Sequence, residues 1–141
     1  MGGSGNQSIL IVEDYKDSRE MIRLLLEDLG YRILEARNGK EALDLVSRET
    51  PDLVVTDFNL PDIDGTTLIR RLRKLGDKMS RIPIIMLTAQ DRAELCDVAM
   101  AAGCTAFFTK PVSFVALEKT INTLLEESRE LNGPVNDTVT R

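Results

Sequence analysis

Histidine is absent from this sequence of 141 residues, and only two cysteines are present. The chain therefore has no imidazole to activate a nucleophile, to bind a metal ion or to carry a phosphoryl group. Its thiols, Cys96 and Cys104, do not form a Cys-x-x-Cys motif, so we interpret them as free thiols of a cytoplasmic protein. Chemistry must rest on carboxylates, lysine, hydroxyls and thiols, and oxygen ligands favour hard cations over zinc.

Long apolar runs and basic clusters are missing as well. No apolar stretch approaches the length of a membrane-spanning helix, and no signal peptide is visible. The formal net charge is -5, which argues against direct binding to nucleic acid or to an anionic membrane surface. With 43% hydrophobic and 29% charged residues, the composition is typical of one soluble globular domain.

The alternation of apolar runs with helical periodicity predicts a strand followed by a helix, repeated along the chain. Such alternation is typical of a three-layer α/β fold, in which helices cover both faces of a parallel five-stranded sheet. No G-x-G-x-x-G motif follows the first strand, so we expect the doubly wound order 2-1-3-4-5 and not a dinucleotide-binding fold. The second strand is polar, which favours an edge position. The predicted strands are residues 9–12, 31–36, 51–57, 82–87 and 106–108.

The predicted helices lie between these strands, and each has an apolar face at helical spacing. Leu75 is expected on the inward face of the third helix, Val98 on that of the fourth and Phe114 on that of the fifth. Gly30 and Gly103 suit the positions that end the first and fourth helices.

Both ends of the chain differ in composition from its middle. Residues 1–7 are rich in glycine and serine, and we interpret them as a flexible N-terminal segment or a cloning remnant. Residues 8–128 are expected to form the folded domain. Residues 129–141 contain Gly133-Pro134 and mostly polar side chains, which is typical of a C-terminal tail or linker. The domain would be either a stand-alone protein or a part of a longer one.

Reactive side chains follow four of the predicted strands. Glu13 and Asp14 come after the first strand and Asp57 after the third, while Thr88 ends the fourth and Lys110 follows the fifth. The carboxyl ends of parallel strands lie on one side of the sheet, and ligands of open α/β sheets bind there. Each residue alone has an ordinary structural explanation, such as a helix cap or a solvated charge. Together they predict one site.

The chemistry of this site follows from its charges. Three carboxylates in one cleft repel each other unless a cation is present, and Mg²⁺ commonly binds one or two carboxylates together with phosphate oxygens. Asp57 keeps an oxygen that can attack phosphorus to give an aspartyl phosphate. Lys110 offers positive charge to the phosphoryl oxygens and Thr88 offers a hydroxyl donor. This set of groups suits phosphoryl transfer, which needs mainly positioning and charge neutralisation.

These residues give the chain a resemblance to the receiver domain of two-component response regulators, and in particular to the stand-alone chemotaxis type. The resemblance covers roughly residues 8–127. It implies a phosphorylation-activated switch, with Asp57 as phosphoacceptor and a histidine kinase or histidine phosphotransfer protein as donor. Such a protein is not an enzyme in the usual sense, since it catalyses only its own phosphoryl transfer and slow dephosphorylation. The motifs are Glu13-Asp14, Asp57 followed by Asn59, Pro61 and Gly65, then Thr88-Ala89 and Lys110-Pro111.

The resemblance also implies a metal site and a particular backbone geometry. Mg²⁺ or Mn²⁺ would be held by Asp14, Asp57 and the backbone carbonyl of Asn59, with Glu13 acting through water. A cis peptide bond before the proline of Lys110-Pro111 would aim the lysine into the site.

A conformational switch is the third implication of the resemblance. Phosphorylation would draw Thr88 towards the phosphoryl group and turn Phe107 inward behind it. Many relatives have tyrosine at the position of Phe107, and phenylalanine fills the same space without a hydroxyl. The surface of the fourth helix, fifth strand and fifth helix would then control a downstream protein or a linked output domain, and it is compatible with a homodimer. Asn59 and Gln90 lie where their side chains would reach the attacking water, so we expect them to tune hydrolysis.

Other interpretations remain open at this point. The stretch from Asp62 through Asp64 to Thr66 resembles the D-x-D-G-T motif of haloacid-dehalogenase-type phosphatases, although it does not follow the strand directly and no cap domain is present. A calcium loop starting at Asp57 would need glutamate at its twelfth position, where Leu68 stands. A receiver-like module that binds partners without phosphorylation is the last alternative.

Overall fold

The computed structural model describes residues 7–132. Within this range strands and helices alternate along the chain, and all neighbouring strands are parallel in the order β2-β1-β3-β4-β5. The doubly wound fold and the strand order predicted from the sequence are therefore confirmed. The strands are β1 (Ser8–Val12), β2 (Arg32–Ala36), β3 (Leu53–Thr56), β4 (Ile84–Thr88) and β5 (Ala106–Thr109), and the helices are α1 (Lys16–Asp28), α2 (Gly39–Arg48), α3 (Gly65–Arg73), α4 (Ala93–Ala102) and α5 (Phe114–Asn132).

Two apolar clusters hold the three layers together. Side chains of the central strands point alternately to opposite faces of the sheet, so Leu10 enters one cluster and Ile11 the other. One cluster packs the sheet against α2, α3 and α4, and the other packs it against α1 and α5. Because β1, β3 and β4 are buried on both faces, they appear in the sequence as continuous apolar runs.

The two outer strands are more exposed than these three. Only Ala36 of β2 is fully buried, which confirms the edge position expected from its polar residues. All of β5 is half-buried, and this strand forms the other edge. The sites after β1, β3, β4 and β5 consequently lie along one rim of the sheet, with the switch point between β1 and β3 at its centre.

Three side chains predicted to face inward are exposed instead. Leu75 is 46% exposed because α3 already ends at Arg73, so the helical spacing no longer applies to it. Val98 is 46% exposed because α4 is apolar on several sides and turns a different stripe towards the sheet. Phe114 is 38% exposed as the first residue of α5. Apolar character alone did not identify the buried face of these segments.

The ends of α1 and α4 agree with the sequence. Gly30 follows the C-cap of α1 with φ of 101°, and Gly103 is the C-cap of α4 with φ of 115°. Backbone conformations of this kind are costly for residues with a Cβ atom, which explains glycine at both places.

The predicted N-terminal segment and C-terminal tail lie only partly within residues 7–132. Helix α5 continues to Asn132 and thus passes the boundary predicted at residue 128. The remaining residues of the predicted tail, and residues 1–6 of the predicted N-terminal segment, lie outside the described range. Within residues 7–132, no helix combines the length and apolar character needed to cross a bilayer.

Candidate functional site

Lys110 connects two of the predicted acidic residues. Its Nζ atom lies 2.9 Å from Oε1 of Glu13 and 3.7 Å from Oδ2 of Asp57. The Lys110–Pro111 peptide bond is cis, as the resemblance implied, and the Lys110 N–H donates to the carbonyl of Thr88 at 2.7 Å. The ends of β1, β3, β4 and β5 therefore meet where the sequence predicted a single site.

Asp57, which faces this lysine, is largely shielded from solvent, and only 13% of its side chain is exposed. Its Oδ1 atom accepts a hydrogen bond from the Phe58 N–H at 2.7 Å. Burial raises the pKa of Asp57 above its usual range, although the charge of Lys110 lowers it, and the like charge of Glu13 adds to the rise. The negative charge of Asp57 is thus only partly compensated, and a further cation would stabilise it.

Glu13 is buried and already has partners for both carboxylate oxygens. Oε1 accepts from Lys110, and Oε2 accepts from the Tyr15 N–H at 3.0 Å. A direct bond from Glu13 to a metal ion would compete with these interactions for the same oxygens. This geometry suits the water-mediated role that the resemblance implied.

Arg19 supports the acidic pair and was not predicted from the sequence. Its Nη1 atom donates to the backbone carbonyl of Glu13 at 2.9 Å and lies 3.5 Å from that of Asp14. The Nε atom of Arg19 is paired with Glu35 of β2. Since Arg19 stands on the first turns of α1, its position in the sequence gave no sign that it would fold back over the preceding loop.

The carboxylates do not form a closed metal cage. Asp14 is exposed, and within residues 7–132 no three cysteine, aspartate or glutamate side chains are grouped so as to hold a metal ion by themselves. An open arrangement is what Mg²⁺ needs, because it keeps several waters and binds only one or two carboxylates beside phosphate oxygens. Glu13 and Asp57 face the single ammonium group of Lys110, and Asp14 follows Glu13 directly, so the residues present suit a divalent cation.

Thr88 is fully buried at the end of β4. Its Oγ1 atom accepts a hydrogen bond from the Gln90 N–H at 3.2 Å. The side chain of Gln90 in turn donates from Nε2 to Oδ1 of Asn59, also at 3.2 Å. The two residues predicted to tune hydrolysis thus touch each other and bridge the loops after β3 and β4. The sequence did not predict this contact, which depends on the conformations of both loops.

Phe107 lies on β5 opposite Met86 of β4. Its side chain is half-buried and packs against the cluster beneath α2, α3 and α4. Phe107 is thus already in contact with the core, and its inward turn on phosphorylation stays a prediction.

Gly65 approaches the backbone of Asp57 more closely than any other residue type could. The Gly65 N–H donates to the carbonyl of Phe58 at 2.7 Å. A Cβ atom built on Gly65 would lie 2.5 Å from the carbonyl oxygen of Asp57 and 2.9 Å from Cα of Phe58. The start of α3 is therefore packed directly under the loop that carries Asp57.

Asp64 serves as the N-cap of α3. Its Oδ1 atom accepts from the Thr67 N–H at 2.8 Å and from the Thr66 hydroxyl at 2.7 Å. Partial burial raises the pKa of Asp64, but these hydrogen bonds outweigh it and the pKa falls below its usual range. Asp64 is a structural carboxylate in this fold.

The carboxylate oxygens of Asp62 likewise accept hydrogen bonds from backbone N–H groups. Oδ1 accepts from Gly39 at 2.9 Å and from Ile63 at 2.8 Å, and Oδ2 accepts from Lys40 at 2.8 Å. The first turn of α2 thus holds the carboxylate that the alternative phosphatase interpretation would use as nucleophile. Both of its oxygens accept from N–H groups at the N-terminus of that helix.

Several known proteins are similar to this chain in sequence. A family model described as the response regulator receiver domain matches residues 9–122. An uncharacterised 14.6 kDa protein of Leptolyngbya boryana is 44% identical over 104 residues, which cover 74% of this chain and 79% of that protein. Response regulator MprA of a Mycobacterium species is 35% identical over 132 residues, which cover 94% of this chain but 56% of that relative.

A solved structure supports the family at the level of the fold. A CheY-like response regulator receiver domain protein from Methanospirillum hungatei aligns with 89% of this chain and 98% of its own, with a TM-score of 0.84 and 29% identity. Since the family match covers residues 9–122, which is well over half of the chain, the chain belongs to the family of response regulator receiver domains.

Proposed function

We propose that this receiver domain accepts a phosphoryl group on Asp57 from a histidine kinase or a histidine phosphotransfer protein. The observation that carries the proposal is the position of Asp57, which is shielded from solvent and faces Lys110 across 3.7 Å. As a receiver domain, the chain is a signalling switch and not a conventional enzyme.

In this reaction a carboxylate oxygen of Asp57 forms a bond to phosphorus as the bond between phosphorus and the donor nitrogen breaks. The electron pair of that bond stays with the leaving imidazole. We assign the attack to Oδ2, because it lies on the Lys110 side while Oδ1 is held by the Phe58 N–H. Lys110 would neutralise the phosphoryl oxygens, and Thr88 would donate its hydroxyl hydrogen to one of them.

The cation that we propose is Mg²⁺ or Mn²⁺. Asp14, Asp57 and the backbone carbonyl of Asn59 would hold it, and Glu13 would act through water. When bound, the cation supplies positive charge to the phosphoryl oxygens. Lys110 is closer to Glu13 than to Asp57, so we expect it to move from Glu13 towards the phosphoryl group after transfer.

The response to phosphorylation would pass from Thr88 to Phe107 and then to the surface formed by α4, β5 and α5. Thr88 accepts from the Gln90 N–H and keeps its own hydrogen available for the phosphoryl group. We propose that this surface acts on a downstream protein or a linked output domain, or forms a homodimer. Asn59 and Gln90 would set the lifetime of the phosphorylated state, because their joined side chains bridge the loops that follow Asp57 and Thr88.

The site of action that we propose is the cytoplasm. Both cysteines are free thiols, and Cys104 is buried, which suits a reducing compartment. The acidic net charge gives no reason to propose direct binding to nucleic acid or to a membrane.

The test is intact mass measurement after incubation with a small phosphodonor and Mg²⁺, for the parent and for Asp57→Asn. We expect one added phosphoryl group on the parent, and none without Mg²⁺ or in Asp57→Asn. Donor turnover that persists in Asp57→Asn but is lost in Asp62→Asn would indicate a phosphatase instead. The absence of both adduct and turnover would leave a module that binds partners without phosphorylation.

A further inference from the structure

Asp62 joins two loops that are far apart in the sequence. It belongs to the loop between β3 and α3, which begins at Asp57, and its partners Gly39 and Lys40 form the first turn of α2. Both carboxylate oxygens take part, and the two contacts to α2 measure 2.9 and 2.8 Å. Helix N-termini carry partial positive charge, so these bonds are charge-assisted.

The two loops are also in van der Waals contact. Gly39 is buried, and a Cβ atom built on it would lie 2.6 Å from Cγ1 of Ile63. Ile63 itself packs against the apolar cluster under α2, α3 and α4. The pKa of Asp62 agrees with these contacts, since the slight desolvation of this exposed residue raises it but the N–H groups of Gly39, Lys40 and Ile63 together bring it below its usual range.

The loop between β3 and α3 is held at two points, and Asn59 lies between them. At its base the loop is pinned by the hydrogen bond from the Gly65 N–H to the Phe58 carbonyl. Its outer part is pinned by Asp62 on α2. Asn59, whose backbone carbonyl is the uncharged ligand in the proposed cation site, stands between these two points.

We propose that Asp62 is a positioning residue for the divalent cation site. By holding the loop on the N-terminus of α2, it fixes the direction of the Asn59 carbonyl and the distance between that carbonyl and Asp57. This inference rests on the proposed function, because it assumes that a cation binds at Asp57. It adds a role for α2, which contributes no side chain to the site.

The matched control is Asn38, the N-cap of the same helix. The side chain of Asn38 accepts from the Glu41 N–H at 2.8 Å and so caps α2 from within the loop before it. Asn38→Ala removes this cap without releasing the loop after β3, whereas Asp62→Ala keeps it and removes the acceptors of the Gly39 and Lys40 N–H groups, and with them the tether. Asp62→Asn keeps one acceptor oxygen and is expected to give an intermediate result.

The experiment measures Mn²⁺ binding by electron paramagnetic resonance for the parent and these three variants. We expect Asp62→Ala to bind Mn²⁺ about ten-fold more weakly, at the lower end of the range for groups that orient metal ligands. Asn38→Ala should match the parent. Hydrogen exchange at the amides of Gly39 and Lys40 should be faster in Asp62→Ala, and denaturant titration of each variant verifies that the comparison is made between folded proteins.

Equal Mn²⁺ affinity in the parent and Asp62→Ala would overturn this inference alone, as would an equal loss in Asp62→Ala and Asn38→Ala. If Asp62→Ala does not fold, Asp62→Asn decides the matter, and parent-like affinity in that variant would also overturn the inference. A parent that binds no Mn²⁺ would overturn the proposed cation site itself. The two failures are therefore distinguishable.

Discussion

Lys110 shows how one residue can stabilise a site that is otherwise unfavourable. It pairs with the buried Glu13 and lies near Asp57, yet these two carboxylates together exceed its charge. Burial raises the pKa of Asp57, and the like charge of Glu13 adds to this rise while the charge of Lys110 opposes it. The sequence predicted Lys110, Glu13 and Asp57 as partners because all three follow strands of one parallel sheet. It did not predict that Lys110 would lie closer to Glu13.

Gly65 gives a prediction at the scale of one residue. Gly65→Ala would place a methyl group 2.5 Å from the carbonyl oxygen of Asp57, so the backbone of the loop that carries Asp57 must shift. We expect a loss of about 1–3 kcal/mol in the free energy of unfolding, as is usual for overpacking. Phosphorylation by a small donor should also become slower. Denaturant titration and the rate of adduct formation measure the two effects.

The control for this prediction is Gly76→Ala. Gly76 has φ of 135°, and a Cβ atom there would meet nothing within 4 Å. Its replacement strains the backbone outside the site, so stability should fall while the rate of adduct formation stays at the parent value. If Gly65→Ala is phosphorylated as fast as Gly76→Ala, the close packing under Asp57 has no role in the reaction.

At the scale of elements, the segment between α3 and β5 is where the sequence was least informative. Helix α4 is apolar on several sides, and its buried stripe became clear only from its contacts with the sheet. The C-terminal end of α4 is held by a side chain of α3. The guanidinium of Arg73 donates to the carbonyl of Gly103 at 2.6 Å, to that of Ile82 at 2.6 Å and to that of Met79 at 3.0 Å.

Arg73 therefore gives a prediction for this group of elements. Burial lowers the pKa of Arg73, and its partners in these bonds are backbone carbonyls. Arg73→Ala would leave three carbonyls without their donor, and we expect the free energy of unfolding to fall by about 2–4 kcal/mol. Arg73→Lys should restore only part of it, because one ammonium group cannot reach all three carbonyls. Urea denaturation measures both.

Arg71, an exposed residue of the same helix, provides the comparison. Arg71→Ala should change the free energy of unfolding by no more than about 0.5 kcal/mol, the usual range for surface substitutions. An equal effect of Arg71→Ala and Arg73→Ala would mean that the contacts between α3 and the end of α4 do not stabilise the fold.

At the scale of the whole molecule, the sequence predicted what depends on periodicity and missed what depends on loop conformation. Continuous apolar runs identified β1, β3 and β4, and the parallel arrangement then placed Asp57 and Thr88 on one rim. The hydrogen bond between Asn59 and Gln90 and the contacts of Asp62 with α2 join loops that are separated by many residues. No local pattern encodes such contacts, so they could be seen only in the folded chain.

The same assembly of distant strand ends would make the proposed cation binding a property of the folded state alone. Asp14 and Asp57 come together only when β1 pairs with β3, so an unfolded chain offers no equivalent site. We expect Mg²⁺ to raise the free energy of unfolding by about 2.7 kcal/mol at a concentration one hundred times its dissociation constant. Denaturant titration over a series of Mg²⁺ concentrations measures this, with NaCl added to keep the ionic strength constant. Asp57→Asn should lose most of the increase, and an equal increase in the parent and in Asp57→Asn would place the bound cation away from this rim.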